Sequence, residues 1–180
     1  MRKSYDVIVL GLGGVGSAAA WQLSRRGLRT LGLERFSPGH AEGSSHGSTR
    51  AIRMAYFEHP DYVPLLRRAY TLWDELEAVT RQRLFFRVGL LEVGPGDGTL
   101  VPGALRAAAE HDLSVERLTA LDCAQRFPQF RPPPDSHAVW EPNAGYLLVE
   151  ACVLAQVMAA RAQGAELLFD TLITGWGHDG

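Results

Sequence analysis

Six residues constrain this chain more than any other feature: Gly11-Leu12-Gly13-Gly14-Val15-Gly16, a glycine-rich turn between an apolar run and a helical stretch. Gly11, Gly13 and Gly16 have the spacing G-x-G-x-x-G. The first permits a tight turn off a strand, the second lets backbone approach a pyrophosphate, and the third lets helix and strand pack closely. Before the turn, residues 5–10 (YDVIVL) predict a buried parallel strand, being short, apolar and rich in β-branched side chains. After it, residues 17–26 predict a helix ended by Gly27, and residues 29–34 (RTLGLE) a second strand. Strand, turn, helix and strand in this order form a βαβ unit. The start of such a helix aims free N–H groups and a positive dipole end at phosphate. Glu34 closes the second strand, where a carboxylate accepts hydrogen bonds from ribose hydroxyls. In a chain with 19 glycines the spacing alone is weak, and a purely structural turn would use the same residues. The flanking strand, helix and acid together carry dinucleotide binding as the stronger reading.

Composition narrows the class. The chain has 180 residues, 46% of them hydrophobic, which is too apolar for disorder. Its 18 basic and 20 acidic residues leave a net charge of −2, so no nucleic-acid partner is expected. Cys123 and Cys152 have neither metal-ligand spacing nor disulfide density, so they read as packing residues in a reducing, cytoplasmic setting, and no metal site is expected. Arg2, Lys3 and the apolar stretch to Leu23 superficially suggest a secretory leader. Asp6 interrupts that pattern, and glycines at 11, 13, 14 and 16 suit an apolar helix poorly. No stretch approaches the ~18–20 apolar residues of a membrane span, so no membrane partner is expected.

Beyond Glu34 the pattern changes. Residues 36–48 are rich in Ser, Gly and His and have no apolar period. The next convincing helix is predicted over residues 61–79, where Leu65, Leu66, Ala69, Leu72, Trp73, Leu76 and Val79 recur at steps of three and four. Strand-like runs follow at 84–88 and 89–93, a helix at 105–111 and a strand at 115–118. Thr119 and Asp122 form the pattern of a capping box opening a short helix that Pro128 stops. A strand at 138–140, a helix over 149–163 closed by Gly164, and a last strand over 166–174 complete the reading. The long irregular segment after Glu34 is uncommon as an empty loop and favours a flavin dinucleotide, whose ring must be enclosed, over a nicotinamide one.

Within that segment Gly43, Ser44, Ser45, Gly47 and Ser48 are small enough for main chain to pass close to a ligand. Thr49, Arg50 and Arg53 follow. Two arginines three apart share a side in a helix and diverge in an extended chain. A guanidinium can hold a carboxylate through two parallel hydrogen bonds. The plainer possibility is a solvated basic loop paired with Glu58 and Asp61, and charge pattern alone leaves both readings open.

The runs GLGGVGSAAAWQLSRRG, SSHGSTRAIRMAY and NAGYLLVEACVLAQVMAARAQGAELLFDT, with Glu34 between the first two, resemble flavin amine oxidases of the monomeric sarcosine oxidase and N-methyl-tryptophan oxidase family, in the D-amino acid oxidase-like superfamily. The H-G-x-T-R-x-x-R run is the most specific element. The resemblance implies an α/β fold: a FAD-binding Rossmann-like domain with part of an α+β substrate domain inserted. Residues 1–85 would be the first FAD-binding segment, 86–145 the start of the substrate domain, and 146–180 an incomplete return, the sequence being truncated relative to the family. FAD is the implied cofactor. Gly11, Gly13, Val15, Gly16 and Ser17 would surround its pyrophosphate, with Glu34 on the ribose, Arg35 beside the adenine and the backbone of Ile173 against it. Ser44, Ser45 and His46 would run toward the flavin ring, although His46 could equally be a loop histidine bonded to backbone. Thr49 and Arg50 would stand at the ring, and Arg53 would bind the substrate carboxylate. Ala51 departs from the bulkier aliphatic usual there. The implied reaction is oxidation of the C–N bond of a secondary or tertiary amino acid, of sarcosine or N-methyl type, to an imine, with O2 reduced to H2O2. A dinucleotide-binding fragment without turnover and a flavin dehydrogenase using another acceptor are the alternatives. The resemblance implies no oligomeric state.

Overall fold

The computed structural model describes residues 4–177. Arg2 and Lys3, the basic end of the leader pattern, lie outside them, as do the last three residues. In chain order the elements are β1 (Val7–Leu10), α1 (Gly14–Arg25), β2 (Thr30–Leu33), β3 (Arg50–Ile52), α2 (Tyr62–Thr80), β4 (Phe85–Phe86), β5 (Leu90–Pro95), α3 (Leu100–His111), β6 (Glu116–Thr119), α4 (Ala120–Arg126), β7 (Ser136–Glu141), β8 (Gly145–Leu147), α5 (Val149–Ala162) and β9 (Glu166–Leu168). They divide into two units: the first holds 4–50, 75–84 and 148–177, the second 51–74 and 85–147.

In the first unit β1, β2 and β9 form a parallel sheet in that order, with Val7 opposite Thr30 and Leu33 opposite Leu168. This is the α/β, Rossmann-like arrangement that the βαβ pattern requires. The first helix begins earlier than the apolar period indicates, at Gly14, because the glycine turn itself supplies its N-cap, Gly13. Its buried residues Ser17, Ala20, Trp21 and Ser24 recur at steps of three and one, a single stripe. Small side chains dominate the buried positions of α5, where Ala155, Ala159 and Ala160 are buried.

Two expectations need correction here. The first strand is half-covered: Ile8 and Leu10 are 55% and 57% exposed, while Val7 and Val9 are half-buried. Alternation along a strand means that, among the described residues, one of its faces is left open. The last strand is three residues long rather than nine, because its partner β2 ends at Leu33. Asp170 then adopts a left-handed backbone, φ 51°, and Thr171 N–H donates to the Glu34 carbonyl at 2.9 Å. Ile173 is therefore half-buried on irregular chain, off any strand.

Both cysteines are free and buried. Burial, reinforced by the charge of Glu77, pushes the Cys152 thiol up to about 12. A thiol held neutral is a poor nucleophile. Native protein at pH 8 is therefore expected to take up iodoacetamide at Cys152 only after denaturation, and fast labelling without denaturant would contradict this.

In the second unit β5, β7 and β6 form an antiparallel sheet, with Leu90 opposite Glu141 and Glu92 opposite Val139. A second short sheet has the order β3-β8-β4. Ala55, Val101, Ala104 and Val139 form a core, with Phe57 and Leu105 packed on it. The third helix starts at Leu100, ahead of the predicted 105, across Pro102 and Gly103. Proline is tolerated in a first turn, whose N–H groups lack helical acceptors. A side chain at Gly103 would put its Cβ 2.3 Å from the Phe57 carbonyl oxygen, so this close approach demands glycine. The capping box is present: Asp122 N–H donates to Thr119 Oγ1 at 3.2 Å, and Thr119 N–H to Asp122 Oδ2 at 3.0 Å. Neither β3 nor β8 was expected, being too short to carry an alternating pattern. Residues 51–74 pack with the second unit, where Glu141 accepts hydrogen bonds from Met54 and Ala55 N–H at 2.8 and 2.9 Å.

Candidate functional site

The turn after β1 is built as the glycine spacing requires. Gly11 has φ +85°, a conformation side chains rarely adopt, and its N–H donates to the Leu33 carbonyl at 2.8 Å. A Cβ at Gly16 would lie 1.8 Å from the Gly11 carbonyl oxygen, so only glycine lets α1 sit this close to the turn. At the helix start no side chain caps Gly13, and Gly14 N–H donates to Ser45 Oγ at 2.9 Å. The segment of small residues is thereby folded back over the helix N-terminus.

Glu34 is buried, and its carboxylate oxygens are held in place by backbone. Leu12 N–H donates to one at 2.7 Å and Phe36 N–H to the other at 3.1 Å. His40 Nε2 lies 3.3 Å from the second oxygen, an ion pair when the imidazole is protonated. Burial pushes the carboxyl up, but the two N–H donors and His40 outweigh it and hold Glu34 below the usual glutamate range. Leu12, Gly13, Glu34, His40, Ser44 and Ser45 line one cavity of about 220 Å³. A carboxylate, small residues and a helix N-terminus thus meet at one hollow.

The other expected residues of this unit fall differently. Val15 is exposed at the helix start, at 88%. Ser17 is fully buried, its Oγ 2.7 Å from the Gly13 carbonyl and 2.6 Å from Gln156 Oε1, so its side chain belongs to helix packing rather than to the hollow. Arg35 lies over the Phe36 ring, 5.1 Å from its centroid. Ser44, His46 and Thr49 are exposed, and Gly47 N–H donates to Glu150 at 3.2 Å. Arg50 donates to the carbonyls of Ser44 and His46, both at 3.3 Å, and so fastens the segment. His40 and Gln156 were not singled out from the sequence; a histidine in an irregular loop and a glutamine within a helix carry no spacing signal.

Arg53, in the second unit, is not a solvated loop residue. Its side chain is 19% exposed, lies over Tyr56 at 4.7 Å and Phe57 at 5.8 Å, and approaches two carboxylates. Glu92 Oε1 is 3.0 Å from Nε, and Glu58 Oε2 is 4.0 Å from a terminal nitrogen. Asp61 instead stands 3.4 Å from His59. Arg50 opens the extended β3, and Arg53 follows directly after that strand. Glu92 and Glu141 were missed. A signal for Glu92 existed: a lone carboxylate in the run Leu90-Leu91-Glu92-Val93.

Comparison with known proteins agrees with this architecture. The family described as FAD dependent oxidoreductase, DAO, matches residues 6–180. Monomeric sarcosine oxidase of Streptomyces avermitilis is 48% identical over 176 residues, which are 98% of this chain and 46% of that protein. N-methyl-L-tryptophan oxidase of Yersinia pestis is 41% identical over 170 residues, 94% of this chain and 46% of that one. The chain therefore spans about half the length of the curated relatives it matches. Among solved structures, NikD, described as an unusual amino acid oxidase essential for nikkomycin biosynthesis, superposes with a TM-score of 0.81 at 32% identity, covering 94% of this chain and 44% of that one. An L-proline dehydrogenase from P. horikoshii has the same TM-score at 20% identity, a likeness of fold. With a matching family description over nearly its whole length, this chain belongs to the FAD-dependent oxidoreductases.

Proposed function

We propose that the protein oxidises the C–N bond of a secondary or tertiary amino acid of sarcosine or N-methyl type, giving an imine, with O2 reduced to H2O2. The observation that carries this reading is the 48% identity to a monomeric sarcosine oxidase, together with a half-buried Arg53 stacked on two aromatic rings. The hollow after β1 fits FAD: its glycines leave backbone accessible, the Gly14 N–H at the start of α1 meets Ser45 of the polar segment, and a preorganised carboxylate stands at its wall. FAD, when bound, supplies the acceptor for a hydride equivalent from the carbon beside the amine nitrogen.

On this reading Gly11, Gly13, Val15 and Gly16 accommodate the pyrophosphate, and Glu34 holds the adenosine ribose. Ser44, Ser45 and His46 continue along the cofactor, Thr49 and Arg50 stand at the ring, and Arg53 holds the substrate carboxylate. Arg35 and the Ile173 backbone would meet the adenine. The side chain of Ser17 takes no ligand; its part is to seat α1. A guanidinium held on aromatic faces loses little freedom on binding a carboxylate, which orients the reacting C–H bond. A cytoplasmic setting belongs to the same reading, and two free, buried cysteines fit it.

The test combines flavin and turnover. Purified protein is expected to retain FAD, seen in its visible absorption, and to release H2O2 with sarcosine or another N-methyl amino acid. Flavin without turnover on any such amine would favour a binding domain; turnover only with an artificial acceptor would favour a dehydrogenase. Arg53→Ala is expected to weaken carboxylate substrates by roughly 10- to 100-fold, the worth of charge-assisted hydrogen bonds, and neutral amines far less. Equal losses for both classes in steady-state assays would remove Arg53 from this role.

A further inference from the structure

Arg53 already has a carboxylate beside it. Glu92 is an interior residue of β5, and its side chain is 10% exposed. Leu90 and Glu92 share one face of the strand, and Leu90 stands opposite Glu141, so both acids lie on the same face of the sheet. Glu58 approaches the guanidinium from the segment after β3. Two carboxylates thus approach one guanidinium, and Glu141 adds its charge to the field at Glu92; the nearby Arg87 is engaged by Asp74 at 2.5 Å. Tyr70, buried in the field of Glu141, Arg87 and Arg53, has no hydrogen-bond partner for its hydroxyl among the described residues.

The contact between Glu92 and Arg53 has a telling geometry. Oε1 is 3.0 Å from Nε, yet the N–H is not aligned on it, and Nε has no hydrogen-bond partner among the described residues. Alignment is what locks a guanidinium in place; close approach without it leaves the charges to interact. Glu92 therefore acts on Arg53 chiefly through its field. A buried charge keeps its effect because water screens it little.

We propose that Glu92 is a specificity-determining residue, which offsets the charge of Arg53 so that the site favours zwitterionic amino acids over simple carboxylate anions. A plain anion meets a guanidinium already neutralised by Glu92 and flanked by Glu58. An amino acid brings an ammonium within a few bonds of its carboxylate, and the surplus acids favour it. Burial pushes the Glu92 carboxyl up, Arg53 pulls it down, and Glu141 and Glu58 raise it again, as expected for an acid set among like charges. The inference rests on the reading of Arg53 as the carboxylate-binding residue.

Glycine and propionate have the same size and differ in the ammonium, so they make the probe pair. Both would be titrated calorimetrically into the FAD-loaded protein without oxygen. Glu92→Gln keeps the volume and removes the charge. It is expected to tighten propionate about tenfold and to change glycine far less, moving the ratio toward the anion. A merely structural Glu92 would weaken both ligands alike. Glu92→Leu gives the same shift without a polar group and serves if Glu92→Gln does not fold. An unchanged ratio, or one moved toward glycine, overturns the proposal while leaving Arg53 in place. Arg53→Ala with undiminished propionate affinity overturns both.

Discussion

Gly16→Ala is expected to cost the protein both stability and flavin. The new Cβ would sit 1.8 Å from the Gly11 carbonyl oxygen and 2.9 Å from its carbon, contacts with backbone that no rotamer change relieves. Relief requires moving the start of α1 away from the turn. Overpacking of side chains typically costs about 1–3 kcal/mol, and a clash with backbone belongs at or above the top of that range. The same movement withdraws the helix N-terminus from the hollow, so FAD affinity should fall with the stability. Denaturant midpoints and FAD titration by fluorescence quenching measure the two effects. Gly175→Ala is the control, since a Cβ there meets nothing within 4 Å. Wild-type stability and full flavin retention in Gly16→Ala would show that the close approach is not required.

The second large effect is expected at Glu34. Its carboxylate is buried and accepts from the backbone of Leu12 and Phe36, so it is preorganised and partly desolvated. A ribose hydroxyl donating to such a group makes a charge-assisted hydrogen bond worth about 1.5–3 kcal/mol. Glu34→Gln should therefore weaken FAD by roughly 10- to 100-fold. ADP is the decisive probe, because it carries the ribose and pyrophosphate without the flavin; its affinity should fall by the same factor as that of FAD. Unchanged ADP affinity would remove Glu34 from the ribose. The pH dependence has a definite sign. A carboxyl held below its unfolded value stabilises the fold above the ordinary glutamate range, and that contribution is lost as pH falls through the lowered value. Glu34→Gln should flatten this part of the acid limb of stability.

The two expected losses differ in what the sequence could announce. Gly16 is readable in advance, because helix–strand contact at the third glycine is a local consequence of strand, turn and helix. Glu34 is readable as an acid at a strand end, but its charge state is not. That depends on Phe36 turning its N–H back and on His40 arriving from an irregular loop. Arg53 shows the same division more sharply. Its spacing from Arg50 left two conformations open, and the structure shows the chain from Arg50 to Ile52 extended. Its neighbours come from other strands: Glu92 is on β5, while Glu141, which fixes the following backbone, is on β7.

Local patterns served well where one element carries its own signal. The 3.6-residue stripe predicted α2 and α5 to within a residue or so of their ends, and Thr119 with Asp122 marked the start of α4. They failed where length or extent is decided by a partner. Nothing in residues 166–174 says that β9 must stop at Leu168; the end of β2 does. Nor does the run 5–10 tell which of its apolar residues are covered, since a parallel strand reads the same with one face open.

By itself, then, the sequence determined the βαβ start, the glycines that make it possible, the acid that completes it and the family those residues resemble. All of these rest on contacts between residues close along the chain or on fixed spacings. The tertiary structure alone decided that Ser17 packs inward, that Ser45 closes on the first helix, and that Arg53 is met by Glu92 rather than by water. Charge balance at a buried group depends on residues far apart in sequence, and folding is what brings them within a few ångströms.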